Sequence, residues 1–247
     1  MPSAPPIRGI LLDIEGTTTP ISFVHDLLFP YARAHVESYL TQWLDSPETT
    51  ADLALLRAEH RVDVEQKLEP PALSNDTRDA EITSLVSYVH WLIDRDRKSA
   101  GLKALQGRIW KQGYLDGALQ APLYPDVKPA LERWRRAGCQ IAIFSSGSVL
   151  AQKLLFAHTE AGDATALIDA YFDTTTGSKM SLESYRTIAT KLGGPGDKLL
   201  FISDVVKELD AAAEAGLQTR LCVRPGNLPQ PRHNHQIISS FDEIVLR

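Results

Sequence analysis

The sequence has few cysteines, no long apolar run and no excess of positive charge. Cys139 and Cys222 are the only cysteines among 247 residues. Each lies in or beside a short apolar run, which predicts buried free thiols in a reducing compartment rather than a disulfide or a cysteine metal site. No segment is long enough to cross a bilayer, and residues 1–6 contain no signal-peptide core. We therefore expect a cytoplasmic protein without a membrane partner.

The charge balance excludes a further class of partner. The formal net charge is −5 and the arginines and lysines are scattered, so a polyanion such as nucleic acid would be repelled. With 43% apolar residues the chain can build a sizeable core, and 247 residues suit one core plus an insertion. No apolar stripe is left over for a subunit interface, so we expect a monomer.

A long helical segment separates two parts of an α/β pattern. The first strand is expected at about residues 7–13, whereas the next recognisable strand comes only at Gln140–Phe144. Between these strands apolar residues recur at helical spacing. We therefore predict an α/β core formed by residues 1–20 and 121–247, with an inserted all-helical cap at residues 21–120.

In the second half of the chain, short apolar strands alternate with helices. The expected elements are a helix capped by Asp126 and ended by Gly138, a strand at 141–144, a helix at 149–156, an extended piece at 171–173, a helix from Ser181 to Gly193, a strand at 199–202, a helix at 205–215 and a strand at 220–223. This alternation predicts an α/β fold with parallel strands that crossover helices bury on both faces. In such sheets, ligands bind beyond the carboxyl ends of the strands.

Two carboxylates follow the first strand directly. Asp13 and Glu15 begin the run Asp-Ile-Glu-Gly-Thr-Thr-Thr-Pro. Because residues i and i+2 of a strand point the same way, both carboxylates can face one ligand. Two carboxylates spaced for one hard cation suggest Mg²⁺, and Mg²⁺ suggests phosphate chemistry. The alternative is an acidic, solvated turn after a strand.

Polar groups fall at corresponding places farther along the chain. Ser145, Ser146 and Gly147 follow the second recognisable strand and lead into a helix, an arrangement that binds anions, although a serine N-cap would look the same. Lys179 precedes a helix and would neutralise a phosphate oxygen, or would simply be solvated. Asp204 follows a further strand as a third carboxylate, or as the N-cap of the next helix.

These features resemble, in this order, the four signature motifs of the haloacid dehalogenase-like superfamily. The features are the carboxylate pair, the Ser-Gly entry to a helix, the lysine and the aspartate at the end of a strand. Most of its members are Mg²⁺-dependent phosphatases with a Rossmann-like parallel sheet core, and the helical insertion lies where that superfamily carries its first type of cap. The superfamily usually has Asp-x-Asp in the first motif, whereas this chain has Asp13-Ile14-Glu15.

That departure is similar to the first motif of the enolase-phosphatase (acireductone synthase) family of methionine salvage. The likeness spans nearly the whole chain and is weakest in the middle of the cap. The similar stretches outside the first motif are Asp96–Lys98, Leu105–Gly107, Phe144–Ser148, Ala151–Phe156, Phe172–Thr174 and Val223–Asn227.

The resemblance implies a role for each candidate residue. Asp13 would be the nucleophile that forms an aspartyl-phosphate, and Glu15 would be the general acid and base. Mg²⁺ would be held by Asp13, by the main-chain carbonyl of Glu15 and by Asp204. Lys179 would hold the phosphate oxygens and support transfer. The remaining implied substrate-binding residues are Ser145, Ser146 and Gly147.

The resemblance also implies a substrate, a small phosphorylated diketone, 2,3-diketo-5-methylthiopentyl 1-phosphate, which would be enolised and then dephosphorylated. Glu15 is expected to take part in the enolisation. The cap is expected to close over the site and recognise the methylthio end. Arg97, Lys98 and Gln106 are candidates for that contact, and a solvated helix face is the alternative for each. Glu208 would either orient the site lysine or be a surface charge.

Other functions are compatible with parts of this pattern. A generic small-molecule phosphatase of the phosphoglycolate type would share Asp13, Lys179 and Asp204 without enolase activity, and Glu15 disfavours it. A dehalogenase uses an aspartate nucleophile without Mg²⁺, so it would not need the additional carboxylates. A non-catalytic binding module with this fold would be expected to have lost the nucleophile or the lysine, and neither is missing.

Overall fold

The computed structural model describes residues 6–246, so most of the segment that lacks a signal-peptide core in the sequence lies outside the described residues. The chain divides into two compact units. One is helical, His25–Leu119, and the other is an α/β unit made of the described residues up to Val24 and from Gln120 onward. The sequence predicts the insertion at residues 21–120. No helix of the described chain has the length and apolar character needed to span a membrane.

A π-helical turn, Phe23–Leu28, leads into the helical unit. The α-helices of this unit are α1 (Phe29–Trp43), α2 (Pro47–Glu65), α3 (Arg78–Asp94) and α4 (Ala100–Leu115). Ser46, Thr77 and Ser99 begin α2, α3 and α4, and each side chain accepts a hydrogen bond from a main-chain N–H in the first turn. Buried leucines on these helices form the core of the unit.

The α/β unit is built on a single parallel sheet. Its strands are β1 (Gly9–Leu12), β2 (Gln140–Phe144), β3 (Ala170–Phe172), β4 (Leu199–Ser203), β5 (Gln218–Cys222) and β6 (Gln236–Ile238). They form a 6-stranded sheet in the order β3-β2-β1-β4-β5-β6, with parallel pairing throughout. β1 therefore lies between β2 and β4. The fold class predicted from the sequence is confirmed.

Helices bury this sheet, as parallel strands require. The α-helices of the unit are α5 (Val127–Arg136), α6 (Val149–Ala157), α7 (Leu182–Lys191) and α8 (Val206–Glu214). Leu11, Ala142 and Phe201 share one apolar cluster with buried residues of α7 and α8. Because alternate strand residues point to opposite faces, Leu12 and Ile143, which are also fully buried, lie on the other face.

Several local features differ from the expectations. Asp126 occupies the N-cap position of α5, but its carboxylate binds the guanidinium of Arg224 and does not cap the helix. Ser181 precedes α7, also without a side-chain capping bond. β6 escapes a sequence-based assignment because it is 3 residues long and follows a polar segment.

Candidate active site

The carboxyl ends of neighbouring strands bring together side chains that are far apart in the sequence. Asp13 follows β1, Ser145 follows β2 and Asp204 follows β4, and these strands are adjacent in the sheet. Lys179 lies ahead of α7, and its Nζ lies 2.6 Å from Asp13 Oδ1. The candidate residues of all the motifs therefore lie along one edge of the α/β unit.

Asp13 is held by donors on both carboxylate oxygens. Its side chain is buried, and Oδ1 accepts hydrogen bonds from the main-chain N–H of Ile14 at 2.8 Å and from Lys179 Nζ at 2.6 Å. Oδ2 accepts a hydrogen bond from the hydroxyl of Ser203 at 3.3 Å. The carboxylate is therefore fixed before any substrate binds, as a nucleophile in phosphoryl transfer should be.

Lys179 is the buried cation of this edge. Its Nζ contacts Asp13 and also lies 2.7 Å from Glu208 Oε2, while the hydroxyl of Tyr185 donates to its main-chain carbonyl at 2.7 Å. Burial alone would lower the pKa of Lys179, but the negative charges of Asp13, Glu208 and Glu15 outweigh burial and raise that pKa. Glu208 is buried and orients the lysine, so it is not a surface charge.

Glu15 has Ser145 as its neighbour. The hydroxyl of Ser145 donates to Glu15 Oε2 at 3.3 Å and accepts the main-chain N–H of Gly147 at 3.1 Å. Burial and the charge of Asp13 raise the pKa of Glu15. A raised carboxyl pKa brings proton exchange closer to neutral pH, as a general acid and base requires.

The three implied phosphate-binding residues, Ser145, Ser146 and Gly147, do not all face the same pocket. The hydroxyl of Ser145 accepts the main-chain N–H of Gly147 and donates to Glu15, the general-base candidate. The exposed Ser146 instead lines the pocket beside Lys179.

Asp204 is the third carboxylate at this edge. It is buried, and burial together with the charge of Asp13 raises its pKa to about 7. It does not cap α8, because the N-cap residue of that helix is Val205. None of the ion pairs among residues 6–246 involves Asp204. Gly16, at φ +71°, passes so close that a Cβ there would lie 2.5 Å from Asp204 Oδ2.

Negative charge exceeds positive charge at this edge of the sheet, and an excess of negative charge favours the binding of a cation. Lys179 faces the carboxylates of Asp13, Glu15, Asp204 and Glu208. Within the described part of the chain, no group of three or more acidic, histidine or cysteine side chains is arranged to hold a metal ion. Glu15 contacts Ser145, and Glu208 contacts Lys179. Asp13 contacts Lys179 as well. A cation at the end of β1 would therefore share Asp13 with the lysine, and its other donors would be the carboxylate of Asp204 and main-chain carbonyls. Such oxygens suit a hard divalent cation.

A pocket of about 440 Å³ opens beside these groups. Its lining residues are Ser146, Thr174, Ser178, Lys179, Met180 and Glu208. Thr174, Ser178 and Met180 are not among the candidates from the sequence because they carry no charge, although Thr174 lies in the family-like stretch Phe172–Thr174. The apolar side chain of Met180 is 61% exposed beside the buried lysine, so the pocket has both polar and apolar lining residues.

Two of the three cap residues considered for substrate recognition have ion-pair partners within the helical unit. Arg97 Nη2 lies 2.5 Å from Oδ1 of the buried Asp63, so Arg97 neutralises a carboxylate inside this unit. Lys98 pairs with Asp96 and has 87% of its side chain exposed, which is the solvated alternative. Gln106 is buried on α4.

Two residues after β5 hold the loop that follows Asp13, and neither is among the candidates from the sequence. Asn227 Nδ2 donates to the main-chain carbonyl of Gly16 at 2.9 Å, and Arg224 Nε donates to that of Thr17 at 3.4 Å. The segment after β5 therefore supports the loop that carries the carboxylate pair. The family resemblance of Val223–Asn227 is the signal that could have pointed to it.

Comparisons with known proteins agree with this arrangement. Residues 7–216 match the haloacid dehalogenase-like hydrolase family. The chain is 49% identical to enolase-phosphatase E1 of Synechococcus elongatus, over 99% of this chain and 100% of that protein. It is 41% identical to enolase-phosphatase E1 of Xenopus tropicalis, over 97% of this chain and 95% of that protein. The crystal structure of the UTR4 protein of Saccharomyces cerevisiae superposes with a TM-score of 0.77 at 34% identity, covering 96% of this chain and 100% of that one.

Proposed function

The chain belongs to the enolase-phosphatase E1 family of the haloacid dehalogenase-like hydrolases, and we propose that it acts in methionine salvage. The proposed reaction converts 2,3-diketo-5-methylthiopentyl 1-phosphate to the acireductone 1,2-dihydroxy-3-keto-5-methylthiopentene and phosphate. One observation carries the proposal: Lys179 Nζ lies 2.6 Å from Asp13 at the sheet edge where Glu15 follows β1. A nucleophile, an anion-binding cation and a proton carrier are thereby combined.

In the first proposed step, Glu15 removes a proton from C1 of the diketone. The C1–C2 double bond forms, and the carbonyl oxygen at C2 takes up a proton from solvent. Support comes from the raised pKa of Glu15 and from Ser145, which holds its carboxylate in place. The product of this step is an enol phosphate with the phosphate ester intact.

In the second proposed step, an oxygen of Asp13 attacks phosphorus. A bond forms between phosphorus and the Asp13 oxygen while the bond between phosphorus and the ester oxygen on C1 breaks. Glu15 gives its proton to that leaving oxygen. Water then attacks phosphorus and passes a proton to Glu15. The attack releases phosphate and restores the Asp13 carboxylate, and Glu15 returns its proton to solvent. Lys179 and Ser146 bind the phosphate oxygens, and Lys179 neutralises part of their charge.

We propose Mg²⁺ as the divalent cation, held by the carboxylates of Asp13 and Asp204 and by the main-chain carbonyl of Glu15. When bound, Mg²⁺ would neutralise charge on the phosphate and polarise a carbonyl of the diketone. The all-oxygen donor set and the absence of an ion-pair partner for Asp204 among residues 6–246 support this choice.

The monomeric state, the cytoplasmic location and the lack of a nucleic-acid partner stay predictions. The net charge of −5 supports the last of these. Light scattering on the purified protein tests the first, and a mass of two chains per particle would contradict it.

One incubation tests the proposed function through two signals. The protein is mixed with the diketo phosphate and Mg²⁺, and phosphate release is followed together with the ultraviolet absorbance of the enediol. We expect both signals. Phosphate without any enediol would favour the generic phosphatase. Neither signal, with the Asp13→Asn variant behaving like the unchanged protein, would favour the binding module.

A further inference from the structure

Ser203 is a buried serine that no step described so far uses. It is the last residue of β4, and its side chain is completely inaccessible to solvent. Its Oγ lies 3.3 Å from Asp13 Oδ2 and 3.0 Å from Glu208 Oε2. One hydroxyl therefore lies between the nucleophile and the carboxylate that orients the site lysine.

These contacts close a ring of polar groups. Lys179 Nζ lies 2.6 Å from Asp13 Oδ1 and 2.7 Å from Glu208 Oε2. Ser203 then joins Glu208 back to the other oxygen of Asp13. Asp13 and Glu208 thus share two donors, the ammonium on one side and the hydroxyl on the other. All members of the ring are buried, so water does not replace a lost contact cheaply.

The orientation of the hydroxyl is set by the backbone. The main-chain N–H of Val205 donates to Ser203 Oγ at 3.1 Å, which occupies a lone pair of that oxygen. The single hydroxyl hydrogen is thereby directed toward the two carboxylates and serves one of them at a time. Ser203 can turn its hydrogen from Asp13 to Glu208 without moving its oxygen.

The second oxygen of the nucleophile matters because an aspartate carboxylate turns easily. The terminal torsion of an aspartate side chain has broad wells, so donors on one oxygen alone leave the carboxylate plane poorly defined. Ile14 and Lys179 both donate to Oδ1, whereas Ser203 donates to Oδ2. The hydroxyl of Ser203 therefore completes the set of contacts that defines the plane.

We propose that Ser203 is a positioning residue for phosphoryl transfer: its hydroxyl fixes the carboxylate plane of Asp13 and turns to Glu208 when Asp13 forms its bond to phosphorus. This inference rests on the proposed function, in which Asp13 forms a bond to the substrate only in the second step. Ser203 should therefore matter for phosphate release and not for enolisation, which depends on Glu15.

The test compares Ser203→Ala with Thr159→Val. Thr159 is also buried, and its hydroxyl bonds the main-chain carbonyl of Gly162, away from the sheet edge. For Ser203→Ala we expect kcat for phosphate release to fall about 10- to 100-fold with KM changed by less than about 2-fold. The enolisation rate should stay at the level of the unchanged protein, so the enol phosphate accumulates. Thr159→Val should release phosphate at the unchanged rate.

Further measurements keep the result unambiguous. Ser203→Cys retains a weak donor, so it should release phosphate at a rate between those of the unchanged protein and Ser203→Ala. If Ser203→Ala does not fold, Ser203→Cys takes its place in the comparison. Phosphate release from an activated aryl phosphate tests Ser203 apart from the diketone. If the unchanged protein cleaves the aryl phosphate but not the diketo phosphate, the proposed substrate is wrong, and a slower Ser203→Ala still supports the positioning role. An unchanged kcat for Ser203→Ala, or an equal loss of enolisation and phosphate release, overturns the inference.

Discussion

Lys179 Nζ and Asp13 Oδ1 lie 2.6 Å apart although 166 positions separate the two residues in the chain. The contact arises because β1 ends at the same sheet edge that the loop before α7 reaches. Lys179 is tied to Glu208 by a second short contact of 2.7 Å. The lysine is thus fixed between two carboxylates, and its position relative to the pocket depends on both.

Replacing this lysine should abolish most of the activity. In Lys179→Met the cation is lost while the surrounding carboxylates remain, so phosphate oxygens meet uncompensated negative charge. We expect kcat for phosphate release to fall by about 100- to 1,000-fold, as for the loss of one preorganised electrostatic contact. Lys153→Met is the control, because Lys153 contacts the ring of Tyr171 outside the pocket. A Lys179→Met variant as active as this control would contradict the role assigned to the lysine.

The loop after Asp13 requires a glycine for two separate reasons. Gly16 has φ +71°, and a Cβ there would lie 2.5 Å from Asp204 Oδ2. Gly138 has φ +79° with no atom near the position of a Cβ. The left-handed conformation alone should cost alanine about 1–2 kcal/mol of unfolding free energy at either position in urea titrations, and the close contact adds to that cost at Gly16. Only Gly16→Ala should also weaken Mg²⁺ binding in calorimetry, and equal Mg²⁺ affinity of the two variants would rule out the close approach as a constraint on Asp204.

The pair of the buried Arg224 and the largely buried carboxylate of Asp126, whose side chain is 11% exposed, should dominate the stability of the segment after β5. The guanidinium binds both carboxylate oxygens, at 2.9 Å and 2.8 Å. Arg224→Met leaves the largely buried carboxylate of Asp126 without its cation and should lower the free energy of unfolding by about 3–5 kcal/mol. Arg186→Met breaks an exposed pair with Glu183 and should cost less than about 1 kcal/mol. Similar losses for both variants would show that burial of the pair is unimportant.

Both thiols should be inert in the folded protein. Burial raises the pKa of Cys139 and raises the pKa of Cys222 to about 12. A raised thiol pKa keeps the sulfur protonated to higher pH, and the protonated thiol is a poor nucleophile. Iodoacetamide at pH 8 should therefore label the protein only in denaturant, as mass spectrometry would show. Rapid labelling of Cys222 in the folded protein would argue against its burial.

The sequence supports the fold and the centre of the site better than their surroundings. β2 occupies Gln140–Phe144 as predicted, because an apolar run between a helix end and a Ser-Gly turn has few other interpretations. Asp13 and Lys179 are recognisable by their places after a strand and before a helix. Asp126 shows where prediction from the sequence fails, because an aspartate ahead of a helix is compatible both with a helix cap and with an ion pair.

Ser203 and Asn227 could not be found from local patterns. Ser203 contacts a residue 190 positions away, and Asn227 contacts one 211 positions away. Neither contact has a periodicity or a spacing that a sequence displays. These contacts depend on the tertiary structure, although the family resemblance of Val223–Asn227 marks the segment that carries Asn227.

The central claim is that Asp13 is a covalent nucleophile in phosphoryl transfer. Substrate with a radioactive phosphate, mixed with the protein and Mg²⁺ and quenched in acid within one turnover, tests it most directly. We predict a labelled protein whose label lies on the peptide containing Asp13, is released by hydroxylamine and is absent from Asp13→Asn. Full turnover with no labelled protein at any time, together with undiminished phosphate release by Asp13→Asn, would contradict the account.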